Sequence, residues 1–485
     1  MTGSDTSFSQ HVPLRFKKSP GRLHFRHLLY LVLVLTCLIS CKTGSLTDTK
    51  VLATVIPAKD SVIVPKVPVY DGIHIESSEI LNGYTDSTSC KTTDTLRVYI
   101  NAKDSIHNAV VKLFTVGGLQ VDSIKTTIYP QKIQNDKPWE NGYGYKATFG
   151  YSPSKLPSGV YLWEKKIPII VKATVSKLIT VVYPSNTENA YCESGGYSMY
   201  STPFQPDIVS FMRPILLAPR AQSFLEWIDL TKYRSDINFI ADDDLDYYSY
   251  LKDSKLLIII GHSEYWTRQA RQNFDRFVNE GKDAILLSGN NMWWQVRYNR
   301  KLNQLICYRS WKDDTTTDPL LTTVNWYDRD LKYPIINSIG GDFRFGGYGL
   351  QTDDGWNGYK IISNSSPLLE GTNLKKGDII SLPSGEYDGA PLKNFDGEGY
   401  PVPDYSQLPF NKFEIIGFDL SYREGKTCGT FMVMQKNQTS GVIINGASYD
   451  WCSPNGIGGK DALKVKQITS NMIEKLLNKQ NVFSN

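Results

Sequence analysis

Leu256-Leu257-Ile258-Ile259-Ile260-Gly261-His262-Ser263-Glu264-Tyr265-Trp266 is the stretch on which the reading of this chain turns. Five apolar residues without a break suit a strand buried on both faces. The segment that follows, 267–280, has a helical pattern. A buried strand that ends in a histidine and a carboxylate, then turns into a helix, is where open α/β sheets place their chemistry. His262 and Glu264 stand two apart, so an extended backbone sends both side chains to one side. A lone histidine is more often a packing or surface residue. A carboxylate at a strand end shifts that balance, because its desolvation is costly unless a metal, a base or water compensates.

Working outward, apolar runs alternate with helical patterns from about Lys177. Strand-like runs at 178–183, 237–241, 256–260 and 284–288 are separated by helical stretches near 222–233 and 267–280. A late strand near 441–446 and an amphipathic helix over 461–477 close the chain. This alternation predicts α/β architecture, a doubly wound and mostly parallel sheet of the glutamine-amidotransferase or flavodoxin kind, over 179–485. Residues 330–435 are richer in Gly and Asp and read as loops and insertions over that sheet. Residues 184–200 read as a long polar and aromatic loop on the active edge. Upstream, 70–178 reads as all-β. Leu96-Arg97-Val98-Tyr99-Ile100 alternates, and Gly117-Gly118 and Pro157-Ser158-Gly159 punctuate the runs, as in an Ig-like β-sandwich.

The first 41 residues read as an export signal. Arg15, Lys17, Lys18, Arg22 and Arg26 precede an apolar run over 28–39, too short for a confident membrane span. It ends in Leu38-Ile39-Ser40-Cys41, which resembles a lipobox with Cys41 as the lipidated residue. Residues 42–69 then read as a flexible tether. The expectation is an extracytoplasmic protein, lipid-anchored to a bacterial membrane, the outer one favoured. An uncleaved N-terminal anchor is the alternative. The chain holds 53 Lys+Arg and 49 Asp+Glu; removing five bases and Asp5 with the leader leaves 48 of each, so no basic balance argues for nucleic acid. Cys90, Cys192, Cys307, Cys428 and Cys452 are widely spaced without a CxxC, which disfavours a zinc cluster. Self-association into a homo-oligomer is left open.

Several short segments occur in a fixed order. They are Asn186-Thr187-x-Asn189-Ala190-Tyr191, Gly195-Gly196-x-Ser198-x-Tyr200, Gly261-His262-x-Glu264-Tyr265-Trp266 and Gly289-Asn290-x-Met292-x-Trp294. Together they resemble the catalytic part of the large (beta) subunit of N,N-dimethylformamidase and its relatives. Leu156-Pro157-Ser158-Gly159-Val160-Tyr161 resembles the close of that family's sandwich, and Gly446-Ala447-Ser448-Tyr449-Asp450-Trp451 also fits. The resemblance implies a mononuclear ferric ion, Fe3+, held by Tyr161, Tyr191 and Glu264. It implies catalytic roles for His262, Asn290 and Glu386, the last in Ser384-Gly385-Glu386-Tyr387-Asp388, where Ser-Gly replaces the family's Gly-Tyr. Ser263 and Cys192 also depart from the usual pattern, and these departures bear on substrate choice.

Hard phenolate and carboxylate oxygens suit a hard trivalent ion. Such an ion polarises an amide carbonyl, and Glu386 could serve as general base for water. His262 and Asn290 could orient the substrate or stabilise the oxyanion. The expected partner is a small-molecule amide. For an isolated tyrosine among 29, packing or surface is the ordinary role; only motif position singles out Tyr161 and Tyr191. A rival reading is a non-catalytic surface lipoprotein that binds glycans or proteins through a degenerate site. A cysteine-nucleophile amidotransferase fits poorly, since the strand-to-helix elbow carries His262-Ser263-Glu264.

Overall fold

A computed structural model describes residues 71–76, 78–349 and 355–484. The expected signal, Cys41 and the tether lie outside these residues. No helix among the described residues is long and apolar enough to cross a membrane.

The segment from Ile73 to Lys172 makes two sheets. Leu96–Ala102 pairs with Ile80–Thr85 and Phe149–Tyr151 in a three-stranded sheet. It faces a six-stranded sheet that runs Ile73–His74, Ile106–Thr115, Gly159–Trp163, Ile167–Lys172, Ser89–Lys91, with Gln120–Ile128 added on Ile106–Thr115. Val98 and Ile100 of one sheet and Val111, Leu113, Trp163 and Ile169 of the other fill the space between them. Trp163 is fully buried with Phe149 and Tyr151 edge-on to it, and its replacement by alanine would cost about 3–5 kcal/mol.

From Ile179 the chain builds an 11-stranded sheet. Five strands lie parallel in the order Ile237–Ala241, Ile179–Tyr183, Leu256–Gly261, Asp283–Ser288, Val442–Asn445. Their apolar runs are continuous because both faces are covered. Ile258, Ile260, Ile285 and Leu287 pack toward helices Gln222–Ile228 and Ala462–Leu477. Leu257, Ile259, Ala284 and Leu286 pack toward helix Arg268–Asn279. Thr267 caps that last helix by accepting from Ala270 N.

The sheet does not stop there, and this overturns the expected doubly wound, mostly parallel α/β fold. It continues through Lys426–Gln435, Lys412–Tyr422, Asp342–Tyr348 and Glu386–Gly389, every one antiparallel to its neighbour. The result is a mixed, β-rich molecule with 34% strand against 17% helix. The expectation of loops over 330–435 fails for the same reason. Several of its glycines mark close approach within a sheet rather than turns. A Cβ at Gly429 would sit 2.4 Å from the Tyr387 ring, and one at Gly346 would sit 2.0 Å from Tyr387 O.

The sandwich docks on the edge strand of the large sheet through polar contacts. Phe239 N donates to Ser158 Oγ at 2.7 Å, and Ala173 N to Asn238 Oδ1 at 2.8 Å. Lys172 is 7% exposed and donates to Asp244 Oδ1 (2.6 Å) and Ser89 Oγ (2.8 Å), with its ammonium 4.7 Å from the Tyr250 ring centre. Burial opposes the Lys172 charge, but Asp244 more than offsets it and raises the ammonium's pKa. The five cysteines of the described chain are free thiols.

Candidate functional site

Three parallel strands end side by side: Ile179–Tyr183, Leu256–Gly261 and Asp283–Ser288. Gly261 has φ +76°, which lets the chain turn sharply off its strand. Its missing side chain also leaves room for Pro184 and Ala221, which a Cβ would meet at 3.2 and 3.4 Å. His262, Ser263 and Glu264 follow, each at most 2% exposed. Ser263 turns to the structural side, where its N donates to Ser288 Oγ and its Oγ accepts from Trp266 Nε1. His262 and Glu264 share the other side, with Nε2 and Oε2 3.7 Å apart.

Both oxygens of Glu264 receive a phenol. Tyr191 Oη donates to Oε2 at 2.9 Å, and Tyr200 Oη donates to Oε1 at 2.8 Å. Tyr265 Oη donates in turn to Tyr200 Oη at 2.8 Å. The Tyr191 and Tyr200 rings lie with centres 4.4 Å apart. On the far side, His262 Nε2 is 3.1 Å from Glu386 Oε2, an ion-pair distance without the alignment of a good hydrogen bond. Asn290 Nδ2 donates to the same Glu386 oxygen at 3.0 Å, leaving Asn290 Oδ1 buried and without a partner. The Tyr449 ring closes this side, 5.2 Å from the imidazole and nearly perpendicular to it.

Local sequence explains these positions. Residues 184–200 contain a helix, Ser185–Tyr191, where a loop was expected. Asp242 Oδ2 accepts from Asn186 N at its first turn, and Asn186 Nδ2 donates to Tyr265 O. Thr187 Oγ1 accepts from Glu264 N. The polar residues of the Asn-Thr-x-Asn-Ala-Tyr motif therefore fasten the helix that presents Tyr191 to the strand end that presents Glu264. Arg213, 0% exposed, holds the following loop. Its guanidinium donates to the carbonyls of Ser210, Cys192, Ser194, Tyr197 and Asn189, with no carboxylate partner among the described residues. Asn290 adopts φ +51° in a turn pinned by Asp388, which accepts from Asn291 N and Nδ2. A Cβ on Gly289 would stand 2.6 Å from Glu386 O, so glycine lets the turn lie against that strand.

The charges are strongly coupled. Burial and the nearby Glu386 raise the Glu264 carboxyl to about 7, against the opposing pull of His262. Burial works against the Glu386 charge too, but His262 and the Asn290 amide outweigh it and hold that carboxyl below its usual value. Burial opposes the imidazolium, yet Glu386 and Glu264 raise the His262 pKa. Tyr191 and Tyr200 are both pushed up, first by enclosure of their hydroxyls and then by Glu264. The hydroxyl ends are enclosed although 38% and 39% of these residues' surfaces stay open.

Of the residues singled out in the sequence, the structure brings together Tyr191, His262, Glu264, Asn290 and Glu386. It does not bring Tyr161 to them. Tyr161 is 1% exposed in the sandwich core, where its hydroxyl donates to Pro157 O at 2.8 Å. Its charged neighbours are Arg234 and Asp229. The second phenol on Glu264 is Tyr200, which ends the Gly-Gly-x-Ser-x-Tyr motif and to which the resemblance assigns no role. The available signal was its place nine residues after Tyr191, at the other end of one short loop. Arg213, Tyr265 and Tyr449 were also missed. Among the described residues no trio of His, Cys, Asp or Glu has metal-ligand geometry. A ligand set at this centre would draw on the tyrosines. Tyr191 Oη, Tyr200 Oη and Glu264 are hard oxygen donors, and two phenol protons stand where a trivalent cation could replace them.

Fold and site together define a mixed-sheet protein with an acidic, tyrosine-lined centre at its strand ends. The chain belongs to the N,N-dimethylformamidase beta subunit-like family, whose C-terminal region matches residues 111–454. The family points to an amidohydrolase-like function. No curated protein matches the chain. Among solved structures, a thua-like protein from Bacteroides uniformis is 11% identical, covering 64% of this chain and 96% of its own, with a TM-score of 0.31. A beta-galactosidase from Bacillus circulans sp. alkalophilus is also 11% identical, covering 64% of this chain and 32% of its own, with a TM-score of 0.30. Likeness at that level adds nothing to the fold described above.

Proposed function

We propose that this chain is an iron-dependent hydrolase of non-peptide amide C–N bonds. The observation that carries the reading is the pair of tyrosine hydroxyls on the two oxygens of buried Glu264, beside His262, Glu386 and Asn290. Tyr191, Tyr200 and Glu264 would hold a ferric ion. When bound, that ion supplies a Lewis acid for a carbonyl and compensates the charge of an anionic three-oxygen set.

The remaining chemistry belongs to the chain. Glu386 stays ionised at neutral pH and accepts a proton from the attacking water. His262, carrying a proton beside it, delivers one to the leaving nitrogen as the C–N bond breaks. The water oxygen ends in the new carboxyl group, and its displaced proton replaces the one His262 gave up. Asn290 Oδ1 is a free acceptor for an amide N–H or the water. The Tyr449 ring limits water on the imidazole side. For location, we read residues 1–41 as a lipoprotein signal with Cys41 as anchor, which places the body outside the cytoplasm on a membrane.

The test is metal analysis and amide hydrolysis on protein from residue 42 onward. Stoichiometric iron, a visible tyrosinate charge-transfer band and release of amine from a panel of small amides are expected. Glu264→Ala should be colourless and inactive. Metal-free protein that hydrolyses amides in chelator would rule out the iron role. Iron-loaded protein that releases no amine would rule out the hydrolase.

A further inference from the structure

Arg220 is a half-buried cation at the site with no part in the proposed chemistry. It immediately precedes Ala221, which packs on Gly261 at the end of the strand that delivers His262. Its guanidinium lies 3.9 Å from the centre of the Tyr449 ring, and that ring contacts the His262 imidazole at 5.2 Å. Arg220 therefore reaches the His262–Glu386 side of the centre, one ring away.

Its charge has no committed carboxylate. Among the described residues no carboxylate oxygen lies within 4.0 Å of it. The acids whose field it feels are Asp450, Glu188 and Glu386. Asp450 accepts from Gly385 N, Ser453 Oγ and Asn455 Nδ2, and Glu386 is taken by His262 and Asn290. Glu188 is lifted by burial to about 7, so it is only partly charged at neutral pH. Two structural arginines of the described chain are fully engaged by contrast: Arg213 by carbonyls, Arg297 by a bidentate Asp314. An arginine fork anchored over an aromatic ring, with no carboxylate in reach, is matched to a carboxylate ligand.

We propose that the substrate of this site is an amide carrying a carboxylate, of the N-acyl amino acid type, and that Arg220 takes the carboxylate while the amide lies against Asn290 and Glu386. The proposal rests on the hydrolase reading for its amide and on Arg220 alone for its charge. Arg220 is a specificity residue here.

The test is calorimetric titration of the full iron-loaded chain with N-acetylglycinate and with uncharged N-acetylglycinamide. Wild type should bind the carboxylate about tenfold more tightly than the amide, and the preference should shrink as salt is raised. Arg220→Gln should bind the two within about twofold of each other, and Arg220→Lys should keep part of the preference. Iron content and melting temperature of each variant report whether the site is intact. Equal binding of both compounds by wild type, binding of neither, or a preference that survives in an iron-replete Arg220→Gln would overturn the proposal. Failure of the hydrolase reading looks different. There, the carboxylate preference and its loss in Arg220→Gln appear in protein that releases no glycine.

Discussion

At the scale of single residues, the two tyrosines on Glu264 make the sharpest predictions. Tyr191→Phe and Tyr200→Phe each remove one oxygen donor, and each should abolish the visible band and most of the bound iron. Tyr161→Phe should leave both intact and cost only about 1 kcal/mol, the value of one hydrogen bond to Pro157 O. Metal analysis of the three variants separates the assignments, and iron lost with Tyr161 but kept without Tyr200 would reverse them. Protons give a second readout. Tyr191 and Tyr200 hold theirs at neutral pH, and Glu264 titrates near 7. Iron uptake should thus release about two protons per ion at pH 8 and about three at pH 6, as a pH-stat would record. His262, Glu264 and Asn290 were legible because each follows closely on an unbroken apolar run, and Glu386 only through the motif the resemblance implies. Tyr200 was not, because one spacing cannot say whether a loop folds its two ends onto one carboxylate.

At the scale of elements, the helix Ser185–Tyr191 and the loop after it depend on Arg213. Replacing Arg213 with Met keeps the bulk but leaves several buried carbonyls without donors. The expected cost is about 2–4 kcal/mol, with new proteolytic cleavage between residues 192 and 200. Unchanged melting and an intact loop would show that water replaces the guanidinium at little cost. The sequence concealed this helix because its residues are polar. Asn186, Thr187 and Asn189 are poor helix formers in isolation, and they are helical here because their side chains bond to Tyr265, Glu264 and Arg213. The parallel strands were plain by contrast, since burial on both faces writes itself as an unbroken apolar run. The antiparallel half was hidden by glycines such as Gly346, Gly389 and Gly429, which resemble turn residues in one dimension and are contact points in three.

At the scale of the whole molecule, Asp388 stitches the two halves of the large sheet. From its antiparallel strand it accepts from Asn291 in the turn after one parallel strand and, at 3.4 Å, from Asn445 of another. Burial raises its carboxyl to about 7. A group raised in the folded state favours folding fully below its unfolded pKa, near 4, and that advantage is lost as pH climbs through about 7. Wild type should therefore lose stability from this group between pH 5 and 8. Asp388→Asn, which keeps one of the two acceptor oxygens and cannot ionise, should flatten that slope in thermal melts at the two pH values. An identical slope in the variant would assign the dependence elsewhere.

The Lys172–Asp244 contact reaches further than the seam it crosses. Asp244 also accepts from Ala241 N at the end of the edge strand, and its neighbour Asp242 caps the helix that carries Tyr191. Sandwich and large sheet are thus joined through a buried ion pair, and removing either partner leaves the other's charge buried and unpaired. Cooperativity follows: the two parts should melt in one calorimetric transition rather than in succession. A chain begun at residue 179 would inherit Asp244 without its lysine. The sandwich, however remote it looks from the chemistry, is part of what keeps Tyr191 in place.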